Sequence, residues 1–432
     1  MKKIKNLIFT DFAFLFLLAS CGGTNVNLSS GEYENRAMVV WTYSSETKES
    51  IEKYYSVAFP EKKITIVTKP LDAYQTQLDG ALRTGKNLPD VVALEISFVR
   101  KYVESGRLLN LTELGLSERA NQELFEYTNE VGTADDGNLY AISNQASPGG
   151  FFYRRSFADQ LWGDDSPAFV QTKLSNWNDF LNVAAELKAN DKKIVSNVNA
   201  AQKVFNRTRE QRWVEDGKLV IDPQWNTYLD LTRTMQDEKY SNETVEYYPG
   251  GGWFSDISGN DVFGYFLAAW GLHYHLEANA TLGDQTSEND WGFIQGPAPY
   301  FDGGTWFAGI KGTTVSNAVK DFLNYRAFDQ DYLQAWALDK SDFSGNKLTV
   351  EAVENDFSNS FLQGQNPYPL FEEITESITG KNVSIYDGSI GAIFSECAVA
   401  YATRHSGYET LDKTWAQFKN TVRNTYPNIE IN

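Results

Sequence analysis

Ala37-Met38-Val39-Val40-Trp41-Thr42-Tyr43, Lys63-Ile64-Thr65-Ile66-Val67-Thr68 and Asp90-Val91-Val92-Ala93-Leu94-Glu95 are three short runs rich in β-branched and apolar residues. What lies between them decides the fold. After the first run, Ile51, Tyr54, Tyr55 and Ala58 recur at helical spacing until Pro60 stops the pattern. After the second, a helix is expected from Tyr74 to Arg83, closed by Gly85, and after the third another from Ser97 to Ser105, ended by Gly106. Three strand–helix units in succession predict an α/β fold, a parallel sheet wound with helices on both faces. Ligands of such sheets sit beyond the carboxyl ends of the strands, here residues 43–46, 71–74 and 95–98.

Further along, Asp135-Asp136-Gly137-Asn138 reads as a turn before Leu139-Tyr140-Ala141-Ile142-Ser143. Gln145-Ala146-Ser147-Pro148-Gly149-Gly150 reads as a break ahead of the strand Phe151-Phe152-Tyr153-Arg154, the pattern of a chain crossing between lobes. Helices are expected over 177–189 and 225–237. A second crossing is expected in Gly292-Phe293-Ile294-Gln295-Gly296-Pro297-Ala298-Pro299, followed by a strand over 304–310 and a helix over 318–328. The C-terminal part predicts helices over 350–361, 386–404 and 408–426. His273 and His275 alternate as in a strand, with no nearby residues to complete a zinc site.

At the other end, Lys2, Lys3 and Lys5 precede an apolar run that stops at Leu18-Ala19-Ser20-Cys21-Gly22. Basic start, short apolar core and small residues make a secretory signal peptide, too short for a membrane span and interrupted by Asp11. A cysteine directly after Leu-Ala-Ser resembles a bacterial lipoprotein signal, which implies cleavage after residue 20 and a diacylglyceryl group on Cys21. Residues 21–35, rich in Gly, Ser, Thr and Asn, read as a flexible tether. At 432 residues the chain exceeds a single core, so two domains are expected. The chain carries −19; its first twenty residues hold three lysines against one aspartate, so the remainder stands at −21. So acidic a surface argues against nucleic acid or anionic lipid headgroups as partners. Beyond Cys21 only Cys397 remains, so no intramolecular disulfide forms once Cys21 is lipidated. Phe, Trp and Tyr make up 14% of the residues, which suits sugar platforms as well as a core.

Several segments carry a family resemblance. They include Val39-Val40-Trp41-Thr42-Tyr43, Asn87-Leu88-Pro89-Asp90-Val91-Val92-Ala93-Leu94-Glu95 and Phe98-Val99-Arg100-Lys101-Tyr102-Val103-Glu104-Ser105-Gly106-Arg107-Leu108-Leu109. Gly137-Asn138-Leu139-Tyr140-Ala141, Val262-Phe263-Gly264-Tyr265-Phe266 and Gly303-Gly304-Thr305-Trp306 continue the series in order. The chain resembles the extracellular solute-binding lipoproteins of bacterial carbohydrate ABC importers, the family related to maltose-binding protein. The resemblance implies a two-lobed periplasmic-binding-protein-like clamp of the class II type, each lobe an open sheet flanked by helices, joined by crossover hinges. Lobe one would take residues 36–144 and 298–340, and lobe two residues 145–297 and 341–432. It further implies a monomer tethered outside the cytoplasm by its lipid, capturing a sugar or oligosaccharide for the transmembrane subunits of an ABC permease. No cofactor, metal or catalytic residue is implied.

A sugar offers apolar ring faces and a rim of hydroxyls, so its site needs aromatic plates and paired polar acceptors. Tyr43 and Glu46 sit where the first strand meets its helix, either as ligand contacts or as a packed aromatic and a helix-start carboxylate. Glu95 ends the third strand and Gln145 lies in the first crossing, each with a structural alternative, a helix cap and hinge pairing. Trp270 matches the family's aromatic platform in lobe two; Trp253 follows the run Gly250-Gly251-Gly252, and Trp306 begins the return strand. Tyr386 and Asp387 open the long C-terminal helix, where maltose-binding protein carries an aromatic ligand residue. The competing readings are an extracellular glycoside hydrolase, which also needs two carboxylates about 5–10 Å apart, and a solute-binding protein for a non-sugar ligand.

Overall fold

The computed structural model describes residues 36–431, apart from 249 and 356. The signal peptide, the tether and Cys21 lie outside the described residues. Strands β1 (Met38–Thr42), β2 (Ile64–Thr68) and β3 (Val91–Glu95) form the parallel core of a five-stranded sheet. Two later strands complete it: β4 (Ile142–Ser143) and β9 (Thr305–Gly309), in the order β2-β1-β3-β9-β4, with β9 antiparallel to both of its neighbours. Each expected strand–helix unit is present. Ser44, with extended backbone, accepts from the Thr47 amide and starts the helix that runs from Ser45 to Ala58 through a π-helical turn at Ile51–Tyr55. The helix after β2 spans Leu71–Thr84 and closes on Gly85 at φ +66°; the one after β3 is Val99–Val103, and Gly106 sits at φ +66° beyond it. Helices pack on both faces, which is why β3 is apolar and buried along nearly its whole length.

The second sheet is antiparallel. Its spine is β5 (Pro148–Arg154), buried at every position, flanked by β6 (Gly264–Ala268) on one side and by β7 (Trp291–Ile294) and β8 (Tyr300–Phe301) on the other. Helices Trp177–Lys188, Gln202–Thr208, Gln224–Glu238, Asp387–Ala402 and Leu411–Thr425 surround this lobe. Its core is aromatic: Trp213 stacks on Trp225 at 5.0 Å, and Phe394 lies against both.

Four expectations need correction. Pro148-Gly149-Gly150 is not a break but the first half of β5, because neighbouring rings occupy the space a side chain would need. A Cβ on Gly149 would stand 2.3 Å from the Tyr300 ring, and one on Gly150 2.5 Å from the Phe293 ring. The run from Gly292 to Ile294 likewise belongs to a strand, so the chain leaves the second sheet only after Phe301, and the return runs through Asp302-Gly303-Gly304. His273 and His275 lie in a π-helical stretch, Leu272–Glu277, whose buried Leu272 and Leu276 share one face. Finally, the helix expected over 350–361 is Lys347–Val353, because Asn346 caps it early and Asn359 opens a separate turn at Ser360–Leu362.

Two chain segments run between the two sheets. Residues 144–147 run from β4 to β5, and residues 302–304 run from β8 to β9. Residues 342–346 run alongside the first of these, with Gln145 paired across to Ser344 in an antiparallel bridge. The Gln145 side-chain amide donates to Asp342 Oδ1 at 2.7 Å, so this stretch is bolted to the first crossing.

Candidate functional site

The carboxyl ends of β1 and β3 open onto a cleft of about 330 Å³. Tyr43, Ser44, Glu46, Leu71 and Glu95 line it from the first lobe, and Tyr247 and Trp270 from the second. Gln145, Asp302, Gly303, Gly304 and Thr305 form its floor at the crossovers. Five of the nine positions singled out for ligand binding therefore meet here: Tyr43, Glu46, Glu95, Gln145 and Trp270.

Register explains the first wall. Glu95 and Thr305 are direct partners across β3 and β9, and Tyr43 shares its hydroxyl with Thr305 Oγ1 at 2.7 Å. Edge-on contacts with Tyr74 at 5.6 Å and Phe98 at 6.2 Å hold the Tyr43 ring. Burial, then the nearby Glu95 charge, push the Tyr43 hydroxyl well above its usual range, so it stays protonated. Burial also raises Glu95, against the two bonds it accepts from the Ser97 amide and hydroxyl. Glu46 projects from the first turn of its helix and has no hydrogen bond or ion pair among the described residues. Burial first, and the neighbouring Asp342 carboxylate second, push it up to about 8. Asp342 is raised as well, chiefly by burial, despite accepting from Gln145, Trp336 and the Phe343 amide.

The second wall is made differently. Trp270 follows β6 and is anchored by its indole N–H, which donates to the Asp302 carbonyl at 2.9 Å. Its ring packs near Tyr247 and His275, at 6.4 and 5.1 Å between centroids. Gly303 and Gly304 pass beneath it with φ of +70° and +101°, a backbone that side chains rarely adopt. A Cβ on Gly303 would stand 2.8 Å from the Trp270 indole nitrogen. Lys203 supports this wall from behind: its ammonium bonds Glu246 at 2.6 Å and the Tyr247 hydroxyl at 3.0 Å, and lies 3.5 Å from Asp302. Burial opposes that charge, but Glu246, Tyr247 and Asp302 outweigh it and keep Lys203 protonated well above its usual range. His275 is pushed down to about 4 by burial and by Lys203, leaving a neutral imidazole.

The other four candidates stand elsewhere. Trp253 is 1% exposed and lies behind Tyr247, ring to ring at 5.0 Å, so it backs the wall and presents no face to the cleft. Trp306 is also 1% exposed, its indole N–H donating to the Thr128 carbonyl at 2.9 Å. Strand alternation turns it away from the cleft that Thr305 faces. Tyr386 is half-buried and packs edge-on against Tyr426 at the margin of the second lobe's core. Asp387 takes an ion pair from Arg209 at 2.7 Å and lies 3.6 Å from Arg207. Sequence reading passed over Asp302, Tyr247 and Lys203. Tyr247 stands at the opposite end of the glycine run from Trp253, at φ +58°, and Asp302 directly precedes the Gly303-Gly304 turn. A carboxylate beside a glycine pair at a lobe crossing is the signal that would have found it.

The sequence pattern of the bacterial extracellular solute-binding protein family matches residues 42–331, and the chain belongs to that family. It is 21% identical over 389 residues to the arabinooligosaccharide-binding protein of Halalkalibacterium halodurans, covering 83% of this chain and 82% of that one. Solved structures share the fold. The ABC-transporter-associated binding protein of B. animalis subsp. lactis in complex with β-1,6-galactobiose is 19% identical, with a TM-score of 0.70 over 91% of this chain and 99% of that one. The galacto-N-biose/lacto-N-biose I-binding protein of Bifidobacterium longum, in complex with lacto-N-biose, is 14% identical, with a TM-score of 0.71 over 92% and 99%. The architecture is thus the two-lobed clamp of α/β sheets flanked by helices. Among the described residues no helix is long and apolar enough to cross a membrane.

Proposed function

We propose that this chain is the capture component of a bacterial ABC importer, that it closes its two lobes on a neutral sugar or short oligosaccharide, and that it delivers the sugar to a membrane permease. One observation carries the reading: aromatic side chains from both lobes, Tyr43 on one side and Tyr247 with Trp270 on the other, converge on a cleft whose carboxylates are Glu46, Glu95 and Asp302. Plates and carboxylates together suit the two surfaces of a sugar. The likeness to an arabinooligosaccharide-binding protein makes arabino-oligosaccharides the first ligands to try. In this proposal the hinge separates residues 36–144 with 298–340 from residues 145–297 with 341–432, apart from the Tyr300–Phe301 strand, which pairs within the second sheet. The protein acts as a monomer, without catalytic residues, and Cys21 carries a lipid that holds it at the outer face of the cell membrane.

A thermal-shift screen against arabinobiose, β-1,6-galactobiose, lacto-N-biose, maltose and their longer homologues tests the reading. Binding to the folded state alone raises the melting temperature. A sugar that raises it supports capture; a response confined to amino acid or polyamine controls overturns it. Labelled oligosaccharide recovered intact after long incubation separates capture from hydrolysis. Membrane fractionation of a Cys21→Ser chain, expected to release the protein, tests the anchor.

A further inference from the structure

We propose that Arg207 is a ligand-binding residue of the second lobe, its guanidinium gripping two adjacent oxygens of a neutral sugar whose hydroxyls donate to Glu95 and Asp302. The inference rests on the carbohydrate reading above and narrows it to ligands with free vicinal hydroxyls. Arg207 sits on the helix Gln202–Thr208, and its side chain is only 10% exposed. A guanidinium has five N–H donors, yet this one makes no hydrogen bond to any described residue. Its nearest anion is Asp387 Oδ2 at 3.6 Å. The other oxygen of that carboxylate accepts from Arg209 at 2.7 Å and from the Ser384 hydroxyl at 2.7 Å, and Oδ2 itself makes no hydrogen bond, with Arg207 too far away to donate to it. The Phe301 ring lies 4.6 Å from the centre of the guanidinium and supports it, leaving its edges to donate.

Neighbouring contacts place the guanidinium beside the second crossover: Phe301 directly precedes Asp302, and Lys203, one helical turn before Arg207, lies 3.5 Å from the Asp302 carboxylate. Burial lowers the Arg207 pKa, and the acids that resist this, besides Asp387, are Asp302 and Glu95, both of which line the cleft. A buried cation with unused donors thus stands near two acceptors brought from other segments: Glu95 from the end of β3, and Asp302 from the second crossover. A fork of donors beside carboxylate acceptors matches a vicinal diol, which offers oxygens to the fork and protons to the acids. The existing charges select a neutral ligand. Lys203 already faces Asp302 and Glu246, and Arg207 faces Asp387. A uronate would meet Glu95 and Asp302; an amino sugar would meet Arg207 and Lys203.

The test uses the full-length chain and whichever disaccharide of the screen binds it, measured by titration calorimetry. Arg207→Lys, which keeps the charge and loses the fork, and Arg207→Met are expected to weaken binding roughly 10- to 100-fold, with the ligand-free melting temperature unchanged. Derivatives of the same sugar O-methylated at adjacent hydroxyls are expected to lose a similar factor on the wild-type chain and little more on Arg207→Met. Wild-type affinity in both Arg207 variants overturns the proposal while leaving sugar capture intact; no sugar binding by the wild type overturns both. If the Arg207 variants melt early, Glu95→Gln with the methylated probes decides: losses that fail to add support a shared diol site, and full additivity overturns it.

Discussion

The two walls of the cleft are built on different principles. On the first lobe, Tyr43, Glu46 and Glu95 sit at the ends of parallel strands, where every strand–helix unit must turn back and where side chains point outward from the sheet edge. Tyr43 is wedged between Tyr74 and Phe98 and bonded to Thr305, so its position is fixed by core packing. On the second lobe the sheet is antiparallel and has no common carboxyl edge. Its wall is assembled from a loop residue, Tyr247, a post-strand residue, Trp270, and a crossover carboxylate, Asp302, tied together by Lys203 and one indole bond. The contrast teaches that the first wall owes its geometry to the fold, and the second to a small polar network.

Substitutions separate the two. The largest effect is expected from Trp306→Ala, which empties a buried indole site and should cost about 3–5 kcal/mol of stability in denaturant melts. Intact stability with lost sugar affinity would instead mean that Trp306 faces ligand. Tyr43→Ala should lower both stability and affinity, because the ring is core and wall at once. Trp270→Ala should cost about 2 kcal/mol of sugar affinity by calorimetry and much less stability. Equal stability losses at Tyr43 and Trp270 would break the comparison. Tyr43→Phe sharpens it: losing the bond to Thr305 should cost about 1 kcal/mol.

The smallest effect is in pH. Glu46 in the folded chain holds its proton to about 8, whereas the unfolded chain releases it in the ordinary carboxylate range. The folded state therefore binds more protons between those limits, and stability falls as pH rises through them. Glu46→Gln should remove that share, so its melting temperature should gain on wild type from pH 5 to pH 8. A constant difference across that window would show that Glu46 is not strained.

Legibility followed the same division. The strand–helix alternation from Met38 to Val103 is readable because period and breakers agree, and the rule for parallel sheets, joined to the family resemblance, leads to Tyr43, Glu46 and Glu95. The second lobe offered no such rule. Trp253, Tyr386 and Asp387 follow from neighbourhood and family analogy; packing makes Trp253 core and sets a half-buried Tyr386 against Tyr426. Asp387 became a partner for arginines. Tyr247 and Asp302 escaped because their placement depends on positive φ at Tyr247 and on the glycine turn after Asp302, neither of which has a hydrophobic period. Pro148-Gly149-Gly150 misled for the opposite reason: glycine there makes room for rings inside a strand.

Gly303 and Gly304 have a bearing on how such a protein changes over generations. With φ of +70° and +101°, and the Trp270 indole close above one of them, neither position accepts a side chain without strain. The depth of the cleft is thereby frozen, while the wall side chains above it stay free to vary. A lineage built on this frame can drift from one sugar to another by exchanging wall residues, without reopening the question of how far a ligand can descend.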